Sequence, residues 1–254
     1  MRGRTAVTTL ASTAAMGFLV LAIAVPAQAA SEAAQAPAPE AAPAQTQGVR
    51  AVVVIAQVAS GAVVLRLGDT GPAVSDIQRR LDKVGILTEM AGTYSAATVA
   101  AVKHFQSKFF LTKSGAVNAR TYRKLAKISK HNTPAICTTR KRIICVDKTQ
   151  KTLRYFVNGV AIKTFDARFG GPGMRTREGN FRVFLKRQKD RAQSGTPMNY
   201  SMYFSGGQAI HQSIFFKAVG YYGASHGCVN IRDLKGMTEL WKMTKIGTPV
   251  KVYH

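Results

Sequence analysis

Acidic side chains are scarce in this chain: 12 Asp and Glu stand against 36 Lys and Arg, a formal net charge of +24. Such an imbalance points to polyanions as partners. Those are nucleic acid for an intracellular protein, or phosphate- and carboxylate-bearing wall polymers for an exported one. Long apolar runs are also missing. The stretch Ala14 to Val25, broken by Gly17, is about a dozen residues and falls short of the ~20 that span a bilayer. Cysteine is sparse, with three in 254 residues. None lies near residue 30, which excludes an acylated N-terminal anchor. No group of Cys, His and Asp has metal-ligand spacing, so neither a metal nor another cofactor is expected. The cluster Gly170-Gly171-Pro172-Gly173 lacks the Lys-Ser/Thr step of a phosphate loop, and Pro172 removes a backbone donor.

The N-terminal residues carry an export pattern. Arg2 and Arg4 precede the short apolar stretch, and Ala27-Gln28-Ala29 offers a small-residue cleavage site. Residues 1–29 are therefore expected to be a signal peptide, leaving no membrane attachment after cleavage. Residues 30–63 read as an Ala/Pro-rich linker. From Val49 to Leu65, across the end of the linker, Val52-Val53-Val54-Ile55 and Val63-Val64-Leu65 have β-prone composition but are interrupted by Gln57, Ser60 and Gly61, and suggest no function.

Residues 64–131 have helical spacing. Ile77, Leu81 and Val84 fall on one face, with Ser75 as a cap and Gly85 as a stop. A second helix is expected from Ser95 or Thr98 through Gln106, with Val99, Val102 and Phe105 inward. A third follows Gly115 and Asn118, with Tyr122, Leu125 and Ile128 apolar. His104 lies in the second helix without ligand neighbours and reads as a surface or packing residue.

Residues 134–254 change to short alternating strands. Ile143 to Val146, Thr152 to Val157 and Val160 to Phe165 are β-branched or aromatic, and Asn158-Gly159 is a two-residue hairpin signal. Phe181 to Leu185, Met202 to Phe204 and Val250 to Tyr253 add strands, and Leu234 to Lys245 is expected to be a helix. Cys137 and Cys145 flank a polar, basic run and suit a hairpin-like disulfide in an exported protein. That pairing leaves Cys228 as the odd thiol; pairing of Cys228 with either of the others is the alternative.

Cys228 sits in Ser225-His226-Gly227-Cys228-Val229-Asn230, with His211 upstream. A cysteine near imidazoles is a nucleophile candidate, because the thiolate is the reactive form and a base can generate it. His226 and His211 are rival bases.

This pattern, together with Thr176-Arg177-Glu178-Gly179 and the run Thr196 to His211, resembles the L,D-transpeptidases of bacterial cell walls. Gly68-Asp69-Thr70-Gly71-Pro72, Gly92-Thr93-Tyr94 and Ala101-Val102-x-x-Phe105-Gln106 resemble the three-helix peptidoglycan-binding module. The implied organisation is a small all-α domain over 64–131 followed by a mainly β catalytic domain over 134–254. The resemblance implies a Cys228 nucleophile, a His211 base oriented by the Gln212 backbone carbonyl, and oxyanion donors at Gly227 and Cys228. Ser225, His226, Asn230 and Arg232 are then loop-fixing or substrate-contacting residues. The expected partners are stem peptides and glycan strands of peptidoglycan plus anionic wall polymers, rather than nucleic acid. The implied reaction is 3→3 cross-linking through a cysteinyl thioester by a secreted, wall-associated enzyme. A Cys/His hydrolase of stem peptides and a non-catalytic wall-binding protein are the alternatives.

Overall fold

The computed structural model describes residues 44–86 and 89–254. The expected signal peptide and the first part of the expected linker lie outside them. No described helix is long and apolar enough to cross a membrane.

The three helices expected over residues 64–131 are present, and a further helix precedes them among the described residues. α1 (Ala44–Ser60) occupies residues expected to be linker or β-prone. Its Val58 is buried, and Val54, Ile55 and Ala59 pack on the core that it shares with the following helices. Periodic apolar burial thus overrides the β propensity of its valines. α2 (Pro72–Lys83) starts three residues before the expected cap, with Gly71 at the cap and Pro72 inside the first turn. Proline is well suited there because its missing N–H would have no helical partner. α3 (Ala96–Lys108) and α4 (Ala119–Ser129) are capped by Ser95 and Asn118, whose side chains accept from the N–H groups of Thr98 and Thr121. Two buried glutamines fasten the loops between helices. Gln78 bonds Thr93 O and Gly92 N, and Gln106 bonds Ala116 O and Gly115 N.

After a short helix, α5 (Ala135–Thr139), nine strands form one sheet. They are β1 (Arg142–Asp147), β2 (Thr152–Val157), β3 (Val160–Arg168), β4 (Gly179–Arg182), β5 (Leu185–Arg187), β6 (Asn199–Ser205), β7 (Gln208–Gln212), β8 (Val229–Ile231) and β9 (Pro249–Tyr253). Helix α6 (Ile214–Val219) lies between β7 and β8, and α7 (Leu234–Met243) between β8 and β9. The Asn158-Gly159 turn has φ of 48° and 81°, the left-handed pair that a tight hairpin needs. Cys137 and Cys145 are joined by a disulfide that pins α5 to β1.

The strand order is β4-β9-β1-β2-β3-β8-β7-β6-β5. The single strand expected over Phe181 to Leu185 is therefore two strands at opposite ends of that order. β4 pairs with β9, and β5 pairs with β6. Only Val183 and Phe184 separate them, and so short a link spans roughly 10 Å. The sheet must curl until its ends nearly meet. Val183 and Phe184 donate across the seam to Thr248 and Tyr203. Met237 and Leu240 of α7 join the enclosed core.

The two parts are fastened by buried charge. Lys108, at the end of α3, is fully buried and donates to Asp166 of β3 at 2.9 Å. His104 Nε2 lies 2.7 Å from the same carboxylate and 2.8 Å from Arg232 Nη2, and Arg232 also bonds Asp166. The His104 bond to Asp166 and the one to Arg232 are alternatives set by imidazole protonation. His104 is thus part of an ion cluster between the helices and the sheet. Burial opposes ionisation of Asp166, but Lys108, His104 and Arg232 outweigh it and hold its carboxyl well below the ordinary 3.8. Its contribution to stability is complete above that value and fades as pH falls below it. Asp166→Asn, which leaves Lys108 buried without its counter-charge, is expected to destabilise the protein by about 3–5 kcal/mol. Urea unfolding at pH 7 measures this, and a loss within experimental error would show that the cluster is not holding the two parts together.

Candidate active site

Strand β7 is buried along its length and runs parallel to β8, with His211 opposite Asn230. On the other side of β8, Asn230 is opposite Arg168 of β3. Directly paired residues on neighbouring strands share a face. Arg168, Asn230 and His211 thus form one row, and Cys228, two positions before Asn230, follows the same alternation. All four line a cavity of about 180 Å³, together with Ser225 and His226.

His211 is 5% exposed, and its Nδ1 lies 2.8 Å from the backbone oxygen of Gln212. A carbonyl can only accept, so Nδ1 carries the proton and Nε2 is left with its lone pair. The Gln212 side chain takes no part in this. Its Oε1 accepts from Asn199 at 3.3 Å, so the bulk of the glutamine does not disturb the orienting bond. His226 is exposed and makes no hydrogen bond among the described residues, although it borders the same cavity.

Cys228 is a free cysteine, and its Sγ accepts from the Ala209 N–H at 3.5 Å. Ser225 is the staple of its loop. The hydroxyl donates to Cys228 O at 2.6 Å and accepts from Gly227 N at 3.2 Å. The expected oxyanion donor at Gly227 is therefore already engaged, weakly, inside the loop. Gly227 has φ of 109°, and a Cβ there would come within 2.4 Å of Gln208 Nε2. Glycine is required at this position by both conformation and space.

Gln208, which the sequence reading did not single out, holds the neighbouring loop. It donates to Arg175 O and accepts from Arg177 N, both at 2.9 Å, while packing against Gly227. Gly170 meets Gly227 from the other side. A Cβ on Gly170 would lie 2.8 Å from the Gly227 Cα, and backbone bonds join Phe169 and Gly171 to Ser225. The Gly-rich run is thus a packing surface for the cysteine loop.

Arg232 is not at this site. It lies in the ion cluster with Asp166 and His104, on a separate cavity lined by α3 and β3. The end of β8 explains the displacement, because strand alternation no longer holds beyond Ile231. Asn230 faces the cysteine, and the chain leaves β8 after Ile231 toward α7. Among the described residues no group of three or more His, Cys, Asp or Glu could hold a metal ion.

The fold and site define a helical domain followed by a curled β domain that brings a free cysteine and an oriented histidine into one cavity. Residues 141–252 match the family model of the L,D-transpeptidase catalytic domain, and residues 70–125 match that of a peptidoglycan binding domain. The chain thus carries a segment that matches an L,D-transpeptidase catalytic domain, preceded by one that matches a peptidoglycan-binding domain. A solved L,D-transpeptidase from Stackebrandtia nassauensis is 24% identical, with a TM-score of 0.52, over 74% of this chain and 94% of that one. Another from Xylanimonas cellulosilytica is 28% identical, with a TM-score of 0.47, over 74% and 96% of the two chains. No curated protein matches the chain.

Burial sets the protonation of the pair. It pushes the Cys228 thiol up from the ordinary 9.0, against a smaller opposing effect of the Ala209 N–H. It pushes His211 down from 6.5, against the bond to Gln212. At neutral pH both members are uncharged, so the imidazole must remove the proton as the thiol attacks. A base with lowered pKa stays unprotonated to lower pH. The acid limb of the acylation rate is therefore expected below pH 6.5, and alkylation of Cys228 by iodoacetamide should keep rising through pH 9. An alkylation plateau on the acid side would instead reveal a preformed thiolate–imidazolium pair.

Proposed function

We propose that this protein is a peptidoglycan L,D-transpeptidase that forms 3→3 cross-links through a thioester on Cys228. The observation that carries this reading is His211. Its Nδ1 is committed to Gln212 O and its imidazole is neutral and buried in the cavity that holds Cys228. Cys228 Sγ attacks the carbonyl carbon of the third stem residue while His211 Nε2 takes the thiol proton. The tetrahedral oxyanion is stabilised by the Cys228 N–H, supported by Gly227 if its weak bond to Ser225 yields. Collapse expels the terminal D-alanine, whose amine receives the proton from His211. The side-chain amine of a neighbouring third residue then attacks the thioester, giving an amide and returning the proton to sulfur. His226, exposed at the rim, and Asn230 contact the substrate, and Ser225 fixes the loop.

The helical domain and the positive charge favour residence at the wall, and the N-terminal pattern favours export. Screened charge attraction concentrates the enzyme on an anionic wall without choosing its substrate.

Incubation with tetrapeptide stems, read by intact-protein and product mass spectrometry, tests the reading. The wild type is expected to show an adduct of the tripeptide acyl group and a 3→3 dimer. Cys228→Ser should show neither, and turnover within tenfold of wild type would remove the nucleophile assignment. His211→Ala should slow acylation by roughly 10²–10⁴, and His226→Ala much less. The reverse order would transfer the base role to His226. Free tripeptide acid in place of dimer, with acceptor present, would assign the protein to the hydrolases.

A further inference from the structure

Arg168 is a charged side chain with an unfinished set of partners. It is 7% exposed, yet no Asp or Glu among the described residues forms an ion pair with it. Its Nη1 donates to the carbonyls of Gly220 and Tyr222 at 3.2 and 3.1 Å, and its guanidinium lies over Phe216. Its Nε is buried with no partner among the described residues. Taking an unpaired guanidinium out of water is costly, and the cost is normally recovered through an anion. Burial alone pushes its proton affinity down.

Its position is as informative as its charge. Arg168 lines the cavity of Cys228 and also a neighbouring cleft of about 570 Å³, and Ala224 is the other residue common to both. The cleft carries Lys148, Lys151 and Arg175 and a single acid, Glu178, which Lys148 already holds at 2.6 Å. Arg168 thus stands where a cationic cleft meets the thiol. It lies two strands from His211, roughly 10 Å along the row, and on the same face.

We propose that Arg168 binds a carboxylate of the stem peptide while Cys228 attacks it, and so selects carboxylate-bearing donors. This rests on the transpeptidase reading above. Two carboxylates of a donor stem could fill the place: the C-terminal one on the leaving residue, or one on the side chain of the third residue.

The experiment compares three synthetic donors with the full chain: the free acid, the C-terminal amide, and the third-residue side-chain amide. Initial rates of thioester formation are read by intact-protein mass. Hydrogen bonds to a charged group are among the stronger ones, so one amide should raise KM roughly tenfold or more with kcat less affected. Which amide does so identifies the carboxylate. Arg168→Gln keeps a donor for the Gly220 and Tyr222 carbonyls while removing the charge, and it should accept acid and amide donors within about twofold of each other. Arg168→Lys should recover part of the preference. Equal KM for all three donors with the wild type would overturn the proposal without any variant, and so would an unchanged preference in Arg168→Gln. The proposed function fails separately, by absence of a thioester with every donor.

Discussion

The three-residue strand β8 is the constraint on which the site depends. It is wedged between β3 and β7, antiparallel to one and parallel to the other. That double pairing fixes Arg168, Asn230 and His211 in a single row and brings the loop before it, with Cys228, over the same face. Because side chains alternate along a strand, a slip of one residue in either pairing would turn the row away from the cavity. Val229 and Ile231, both fully buried, hold the register by packing the opposite face into the core. The geometry of the site is therefore a by-product of hydrophobic burial on the far side of the strand.

Electrostatics then sets the chemistry. Burial of the imidazole and partial burial of the thiol disfavour the charged form of each, so neither is charged at rest. The pair differs in this from a solvent-exposed Cys/His couple, where an ion pair is the usual expectation. Among the described residues, only one polar backbone atom, the Ala209 N–H, bonds the sulfur. The arrangement favours proton transfer concerted with attack, and it keeps the thiol unreactive until a substrate supplies the carbonyl.

Much of this was legible in the sequence, because it rests on local signals. The helical periodicity around Ile77, Leu81 and Val102, the caps Ser95 and Asn118, and the Asn158-Gly159 hairpin each declare themselves within a few residues. Cys228 and His211 stood out through residue type and order. What was not legible depends on long-range pairing. The apolar run at Val52 to Ile55 has strand composition, and only its packing on α2 and α4 makes it a helix. The run from Phe181 to Leu185 looks like one strand because nothing local marks the seam of a curled sheet. Arg232 sits two positions after Asn230 and by alternation should share its face, but the strand ends at Ile231 and the side chain is drawn to Asp166. Arg168 and Gln208 gave no signal, since their roles arise from what the fold leaves unpaired around them.

The parallel pairing of β1 with β9 carries a consequence for how the chain reaches this structure. The partners Ile144 and Val250 are roughly a hundred residues apart, and β9 also supplies the neighbour of β4. Until β9 is available, β1 has an open edge and the curled sheet cannot close. The domain cannot acquire its native shape progressively from its N-terminal end, and a chain interrupted late in its emergence would hold the cysteine loop without the enclosure that keeps its thiol quiescent. Assembly of the catalytic site thereby waits for β9.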